Sequence, residues 1–429
     1  MEAINKIRNF ILSNKLIKET LWSFIAKGVA FVFFYIFIIF LARSLGVELF
    51  GKWSFFYSIL TIIFVISYFG VNPSAKIFLA RSKDKNEISY NIFSSLKLRL
   101  IISFFFIIIC GIVFTLIPAS IIGDLRYLFI LALPFIFLKA LVEYLRHVFQ
   151  GLHRIKYQSY INLCEYGLNL LLTVILVYFM FSLKSVVLAL TISTLITVIF
   201  GFIFLKKFWN FARNKTKEKE NIKKIFHYSL PLAFISFGFL IITEVDIVML
   251  GWLGTPQEVG VYAAAKNFVN KLPQIAFAIT MGVMPTFAKL NSENFDILKS
   301  RFKKVLKINF FIYVYISGAI LLFSPFFVPL IFGAEYSNSV LPLQILSIWL
   351  FIVSFNVLFN SFLDFQKKAW RRAIHFSLTM ALNIILNIIF IPILGPVGAA
   401  IATTLGYMVF VGLNGIEVRK SFSSEVIVY

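Results

Sequence analysis

The chain alternates between long apolar stretches and short polar connections. A helix needs roughly 20 apolar residues to cross a bilayer, and about twelve stretches of the sequence reach that length. They predict transmembrane helices at 17–42, 49–70, 95–117, 125–149, 157–181, 183–206, 226–251, 258–284, 307–332, 338–364, 370–392 and 396–418. The eighth stretch is the least regular, because several polar side chains and Pro273 interrupt it.

Composition agrees with this pattern. Of the 429 residues, 60% are hydrophobic and only 14% are charged, which gives a mean hydropathy of +0.90. These values lie far outside the range of soluble domains, so the chain is expected to fold with lipid as its solvent. The sequence therefore predicts an all-α integral membrane protein.

The positive charges follow the predicted spans. The amino-terminal segment, every second connection and the tail hold 33 of the 41 Lys and Arg residues, whereas the alternate connections hold almost none. Such an excess marks the cytoplasmic side of a membrane protein. We therefore expect a multi-pass protein of the cell membrane with both termini in the cytoplasm. The formal charge of +22 is then a topological signal that also favours contact with membrane lipids, and nucleic acid is not an expected partner.

The longest polar run divides the chain into halves with related sequences. It lies at 206–225 and is expected to be a basic cytoplasmic linker between two pseudo-symmetric lobes of six helices each, 1–205 and 226–429. The segment LGVELFGKW at 45–53 is similar to LGTPQEVGVY at 253–262. Repeats of this kind place a substrate site between the halves near the bilayer midplane and permit alternating access.

Several motifs carry a resemblance to a known family. They are TEVDIVMLGWLGTPQEVGVYAAA at 243–265, NIILNIIFIPILGPVGAAIATT at 383–404, LGVELFGKWSF at 45–55, VFQGLHRIKY at 148–157 and IFGAEY at 331–336. The chain resembles polysaccharide flippases of the multidrug, oligosaccharidyl-lipid and polysaccharide exporter superfamily. This resemblance implies two six-helix lobes around a central cavity. It also implies movement of a lipid-linked oligosaccharide from the cytoplasmic to the outer leaflet, with glycan-assembly enzymes as candidate partners.

Polar side chains within the spans are the candidates for substrate binding, because charges in lipid are costly and normally face a cavity or a partner. Lys139 lies in the middle of its span and would attract a diphosphate, although Glu143, four residues on, is placed to neutralise it. For the asparagines, hydrogen bonding between helices is the alternative. The substrate-binding candidates are Lys27, Lys139, Lys271, Asn267, Asn270, Gln274, Asn356 and Asn360.

Acidic side chains in the spans are candidates for coupling or counter-charge, namely Glu143, Glu165, Glu244 and Asp246. Because Glu244 and Asp246 are two residues apart, they lie on separate faces of a helix. One is expected to pair with Lys266, and the other is a candidate for a proton or a cation. Coupling to H+, to Na+ or to the membrane potential stays open. Neither the two cysteines nor the four histidines suggest a metal site, and no cofactor is expected.

Other functions remain as alternatives. A peptidoglycan-precursor flippase and a multidrug cation antiporter share the superfamily, although the lysines near the midplane argue against a cationic substrate. A membrane glycosyltransferase or polymerase needs catalytic groups on sizeable loops, and the predicted outer loops are short and lack a carboxylate pair. We therefore predict no catalytic residue and do not expect an enzyme.

Overall fold

The computed structural model describes residues 15–117, 125–208, 215–281, 295–366 and 368–423. Within these ranges the regular elements are helices, apart from two short 3-10 segments at 206–208 and 334–339. The helices are α1 (Lys15–Tyr68), α2 (Val71–Arg81), α3 (Lys85–Leu116), α4 (Leu125–Leu131), α5 (Leu133–Gly151), α6 (Ile155–Met180), α7 (Leu183–Leu205), α8 (Lys215–Leu253), α9 (Pro256–Val269), α10 (Pro273–Met281), α11 (Phe295–Phe332), α12 (Val340–Phe365), α13 (Ala369–Leu394) and α14 (Pro396–Ser423).

The helices confirm an all-α membrane protein. Within the described ranges, eight are long and apolar enough to cross a membrane, or nine if α4 and α5, bent by 47°, form one span. The first of the eight covers 44 residues and is broken at Gly46, whose φ of 74° and ψ of 169° are not helical. When α1 counts as two spans, and α8 and the α9–α10 pair as one each, the helices match about twelve predicted spans.

Several helices extend beyond the predicted spans. α3 starts at Lys85 rather than at residue 95, and α11 starts at Phe295 rather than at 307. The difference arises because hydropathy marks where the chain enters lipid, whereas a helix continues into the polar region until a capping residue stops it. Asp84 is such a residue, since its carboxylate accepts a hydrogen bond from the backbone N–H of Glu87 at 2.7 Å.

The predicted eighth span is not one regular helix. α9 ends at Val269 and α10 begins at Pro273, with a tight turn between them. Proline lacks the N–H that would bond to the carbonyl of Val269, so the N–H of Leu272 takes that carbonyl at 3.1 Å. The candidates Asn267, Asn270, Lys271 and Gln274 would share one face of an uninterrupted helix, but the break means that they do not lie on one straight helix.

Contacts divide the chain into two compact units, as far as their ranges are described. Unit 1 comprises Met1–Ser44 and Ile59–Leu240, and unit 2 comprises Leu45–Ser58 and Ile241–Tyr429. The predicted lobe boundaries, 1–205 and 226–429, do not coincide with these units. α8 begins at Lys215, so the last residues of the predicted linker are helical. The two lobes of six helices stay a prediction. Residues 209–214 of the predicted linker lie outside the described ranges.

Unit 1 packs around α5. Most of this helix is buried against α2, α3, α6 and α7, and the core of the unit includes Leu141, Leu145, Val148 and Phe149. The start of α8 belongs to the same unit, where Ile225 packs with Val71 and Leu98. Polar contacts support this packing, because Lys97 forms an ion pair with Glu218 at 3.0 Å. The side chains of α5 that are not fully buried, such as Lys139 and Glu143, are therefore held by a firmly packed helix.

Unit 2 depends on close helix contacts through glycine. A Cβ on Gly51 would lie 1.8 Å from the backbone oxygen of Pro256, and one on Gly260 would lie 2.1 Å from that of Val47. These two glycines belong to the similar segments of the two halves, so the repeated motif serves close packing of backbones. The turn before α9 is fixed by a capping box, in which Thr255 and Glu258 each accept the other's backbone N–H.

Candidate functional site

Unit 1 contains a network of four charged side chains on α5 and α6. Lys139 lies 2.6 Å from Glu165 and 3.3 Å from Glu143. Arg146 contacts both carboxylates as well, so each acid meets both cations. The spacing of α5 produces this arrangement, because positions 139, 143 and 146 follow the i, i+4, i+7 pattern of one helix face. The predicted pairing of Lys139 with Glu143 is present, and Glu165 joins it from the neighbouring helix.

The two acids of this network differ in accessibility. The Glu165 side chain is 2% exposed, whereas that of Glu143 is 18% exposed and that of Lys139 15%. Charges removed from water must be compensated by partners, and the network does this with two charges of each sign. Its net charge is therefore zero when all four groups are ionised, and Glu143 is the carboxylate that is easier to reach.

Arg99 is a buried cation of unit 1 that was not among the predicted site residues. It lies on α3, fully buried, and donates to the backbone oxygen and the hydroxyl of Ser67. Its guanidinium also lies over the ring of Tyr68, 5.2 Å from the centroid. The signal available in the sequence was the flanking apolar residues of LRLIIS, which place Arg99 inside a helix that enters lipid.

Unit 2 contains a second polar cluster, built around Asp246 on α8. Lys266 of α9 forms an ion pair with one carboxylate oxygen at 2.5 Å, and the hydroxyl of Tyr262 donates to the other at 2.5 Å. The hydroxyl of Thr403 on α14 lies 3.4 Å from that second oxygen. Of the two acids predicted to separate on α8, Asp246 is thus the partner of Lys266, while Glu244 accepts from Ser58 at 2.8 Å.

A small cavity adjoins this cluster. Its volume is about 30 Å³, and Asn270, Trp349 and Tyr407 line it together with Asp246 and Lys266. A space of this size with several polar groups is enough for one water molecule or a small cation. Tyr262 and Thr403 were not among the predicted residues, although the i, i+4 spacing of Tyr262 and Lys266 places both on one face of α9.

The asparagines of α12 hydrogen bond to a neighbouring helix. The amide nitrogen of Asn414 on α14 donates to Asn356 at 3.0 Å and to Asn360 at 3.1 Å. The imidazole of His375 lies 2.9 Å from the amide oxygen of Asn414. Asn414 was missed from the sequence, because a single amide in an apolar span has no partner that spacing alone reveals. These contacts match the alternative to substrate binding given for the asparagines, which is hydrogen bonding between helices.

The remaining predicted residues are spread over the structure. Lys27 on α1 and Gln274 on α10 are exposed, whereas Asn267 and Lys271 are half-buried. The structure thus groups Lys139, Glu143 and Glu165 in unit 1 and Asp246 and Asn270 in unit 2. In the described part of the chain, no group of three or more His, Cys, Asp or Glu side chains is placed to hold a metal ion.

Comparison with known proteins identifies relatives of the chain. The family model described as polysaccharide biosynthesis protein matches residues 16–291, and the MatE model matches 231–389. An uncharacterized membrane protein of Methanocaldococcus jannaschii is 24% identical over 394 residues, which is 89% of this chain and 91% of that protein. The probable low-salt glycan biosynthesis flippase Agl15 of Haloferax volcanii is 24% identical over 206 residues, 47% of this chain and 44% of that protein.

Solved structures share the fold at low sequence identity. A multidrug resistance MATE family transporter of the MOP superfamily, in an inward-facing conformation, gives a TM-score of 0.73 at 19% identity, covering 94% of this chain and 98% of that one. The Vibrio cholerae MATE transporter VcmN gives 0.62 at 13% identity, covering 95% and 99%. Since the first family model spans well over half of the sequence, the chain belongs to the polysaccharide biosynthesis protein family and is a multi-pass membrane transporter of the MOP superfamily.

Proposed function

We propose that this transporter moves an oligosaccharide linked to a polyprenyl phosphate or diphosphate from the cytoplasmic to the outer leaflet by alternating access. The observation that carries this proposal is membership of the polysaccharide biosynthesis protein family over residues 16–291. The similarity to a relative named as a probable glycan biosynthesis flippase supports it. Glycan-assembly enzymes on either side of the membrane would be its functional partners.

The charge network of unit 1 is the proposed contact for the phosphate groups. Unpaired cations within a membrane protein cost free energy. Cations of an anion transporter are therefore expected to form ion pairs with carboxylates until the substrate binds. Lys139 and Arg146 are such cations. Because Glu143 is 18% exposed and Glu165 only 2%, Glu143 is the carboxylate that a phosphate would displace. Its return would neutralise the network after release.

The Asp246 cluster is the proposed coupling site. A proton or Na+ on Asp246 would compete with Lys266 for the same carboxylate, so cation binding and the ion pair exclude each other. Export of an anion is also favoured by the membrane potential, at ~2.3 kcal/mol per charge for 100 mV. Transport that needs neither a proton nor a Na+ gradient, only a potential, would assign the driving force to voltage and leave Asp246 a structural role.

Translocation of a fluorescent polyprenyl-diphosphate oligosaccharide in proteoliposomes tests the proposal. The variants are Lys139→Gln and Arg146→Gln, with Lys52→Gln as the matched control. Lys52 also forms an i, i+4 ion pair, 2.8 Å from Glu48, but these side chains are more exposed than the network, at 33% and 54%. We expect wild type and Lys52→Gln to transport at similar rates. Each network variant should lose about tenfold or more, since one charge-assisted contact to phosphate is worth roughly 1.5–3 kcal/mol.

Folding must be checked separately, because both variants alter a buried network. Size-exclusion profiles and thermal unfolding of each purified protein provide this check. Equal transport by all four folded proteins would contradict the role of the network. Failure of wild type to move any lipid-linked sugar would contradict the proposed substrate.

A second candidate function is export of small organic cations, which the MatE match over 231–389 favours. Under this alternative the acidic groups, and Asp246 in particular, would meet the substrate. The same proteoliposomes can be loaded with a fluorescent cation. Proton- or Na+-driven cation movement by wild type, lost in Asp246→Asn and kept in Lys139→Gln, would establish the drug-exporter function instead.

A further inference from the structure

Unit 2 contains a second, larger cavity that the proposed transport does not use. Its volume is about 400 Å³, and it lies between the start of α11 and the ends of α12 and α14. Three cations line it, Lys299 and Lys303 of α11 and Arg419 of α14. We call this cavity the cationic groove.

The cationic groove has an excess of positive charge. None of its lining residues in the described chain is an Asp or a Glu. Lys299 and Lys303 are four residues apart on one helix, where like charges repel each other. The nearby acid Glu417 on α14 is buried and already holds Lys368 and Arg371, each at 2.8 Å. The groove therefore favours an anion.

The wall of the groove is aromatic and firmly packed. Phe302 stacks on Phe359 with ring centroids 6.2 Å apart and planes at 14°, and it contacts Phe422 at 5.2 Å. Beneath them Leu298, Val305, Leu358, Phe362, Leu363 and Val418 form a buried core. A rigid apolar wall beside three cations suits a ligand that is anionic at one end and apolar at the other.

We propose that the cationic groove binds the headgroup of an anionic membrane phospholipid, with the phosphate between Lys299, Lys303 and Arg419 and an acyl chain along the aromatic wall. Charge complementarity selects an anion, and the apolar wall selects a lipid over a soluble phosphate. The volume fits a headgroup rather than a whole lipid. This inference concerns a bound lipid and does not depend on which substrate the protein transports.

Native mass spectrometry of the full-length protein in detergent tests the inference. Dioleoylphosphatidylglycerol is titrated against wild type, and phosphatidylcholine, which has the same chains but no net charge, is the reference lipid. We expect wild type to bind the anionic lipid at least about tenfold more tightly than phosphatidylcholine, because three cations line the groove and each attracts an anionic headgroup. The double variant Lys299→Glu/Arg419→Glu should lose this preference while its affinity for phosphatidylcholine stays unchanged.

Lys304→Glu is the matched control. Compared with the single variant Lys299→Glu, it makes the same charge change on the same helix at an exposed position that does not line the groove. It should therefore keep the preference, whereas Lys299→Glu should weaken it. Lys303→Gln provides a milder variant if charge reversal prevents folding, and a several-fold loss is expected from it. A preference that survives in the groove variants, or that Lys304→Glu abolishes equally, would overturn the inference.

Soluble phosphates separate a lipid headgroup from a free phosphate. Inorganic phosphate and glycerol 3-phosphate are added in excess to the complex with phosphatidylglycerol. If the lipid stays bound, the acyl chain contributes and the lipid assignment is supported. If either soluble phosphate displaces the lipid at comparable concentration, the groove is a site for free phosphate and the lipid assignment is wrong.

Discussion

The two polar clusters stabilise buried carboxylates in different ways. In unit 1, Glu143 and Glu165 share two cations, so every charge has two partners of opposite sign. In unit 2, Asp246 has one cation, Lys266, and two hydroxyl groups from Tyr262 and Thr403. The first cluster is redundant in charge, whereas the second depends on one ion pair supplemented by neutral hydrogen bonds.

This difference bears on what each cluster tolerates. A network with shared partners keeps most of its compensation when one group is displaced, which suits exchange of a carboxylate for a phosphate. A single ion pair loses its balance of charge when a proton or cation binds to its carboxylate. This property suits a site that couples cation binding to transport. The stability of the protein should therefore change little on single substitutions in the unit 1 network and change more on single substitutions in the unit 2 cluster.

The largest effect is expected from Asp246→Ala. The substitution leaves the half-buried Lys266 with the backbone oxygen of Thr243 but without its carboxylate. Removing one partner of a buried pair typically costs about 3–5 kcal/mol of stability. Chemical unfolding of the purified protein in detergent measures this loss. The double variant Asp246→Ala/Lys266→Met should recover much of it, and no recovery would show that the ion pair does not carry the effect.

A smaller effect is expected from Tyr262→Phe. The change removes only the hydroxyl that donates to Asp246 at 2.5 Å and leaves the buried ring in place. A hydrogen bond to a charged group contributes about 1.5–3 kcal/mol. Tyr144→Phe is a control from unit 1, since its buried hydroxyl lies 2.9 Å from two neutral groups, the Ser95 hydroxyl and the backbone oxygen of Ile92. Equal losses of unfolding free energy in the two variants would contradict a special role for the charge of Asp246.

Glu143→Gln should cost less, about 1 kcal/mol, because Lys139 and Arg146 both keep Glu165. Glu165→Gln is the comparison within the same network, and its loss should be larger because this side chain is almost fully buried. The difference in unfolding free energy between the two variants measures the redundancy directly. A loss for Glu143→Gln as large as that for Asp246→Ala would remove the contrast between the clusters.

The smallest effect is expected from Thr403→Val, because its contact with Asp246 is long, at 3.4 Å. We expect a coupling of about 0.5 kcal/mol with Asp246→Asn in a double-mutant cycle. Thr404→Val is the adjacent control, since the hydroxyl of Thr404 contacts the backbone oxygen of Ala400 at 2.8 Å. A coupling for Thr404 equal to that for Thr403 would place Thr403 outside the cluster.

The sequence predicted most of the helical framework, because lipid imposes a simple rule of length and apolarity on each span. It could not predict where helices continue beyond lipid, as α3 and α11 do, since polar extensions lower the hydropathy. It also treated the eighth span as continuous, although Pro273 was visible. A proline shows that one hydrogen bond is lost, but it does not show which turn satisfies the freed carbonyl, here through the N–H of Leu272.

Within the two polar clusters, the sequence could predict only contacts between side chains of the same helix. Lys139 and Glu143 share a face of α5, so their contact followed from spacing. The contacts of Glu165 with Lys139 and of Thr403 with Asp246 join different helices, and their register is set by packing rather than by sequence distance. Arg99 lies inside the predicted span 95–117 but was not named as a candidate, because the residues that bury it come from elsewhere in unit 1.

The division of α1 and α8 between the units affects how the gene can be divided. The lysine-rich run at 206–225 is the obvious point at which to separate two half-length polypeptides. A carboxy-terminal half that starts there would carry the α8 residues up to Leu240, which belong to unit 1, and would lack Leu45–Ser58, which belong to unit 2. Neither unit is encoded by one half alone. Each half must supply a segment that completes the other's unit, so the two are expected to mature only as one chain or as co-expressed fragments.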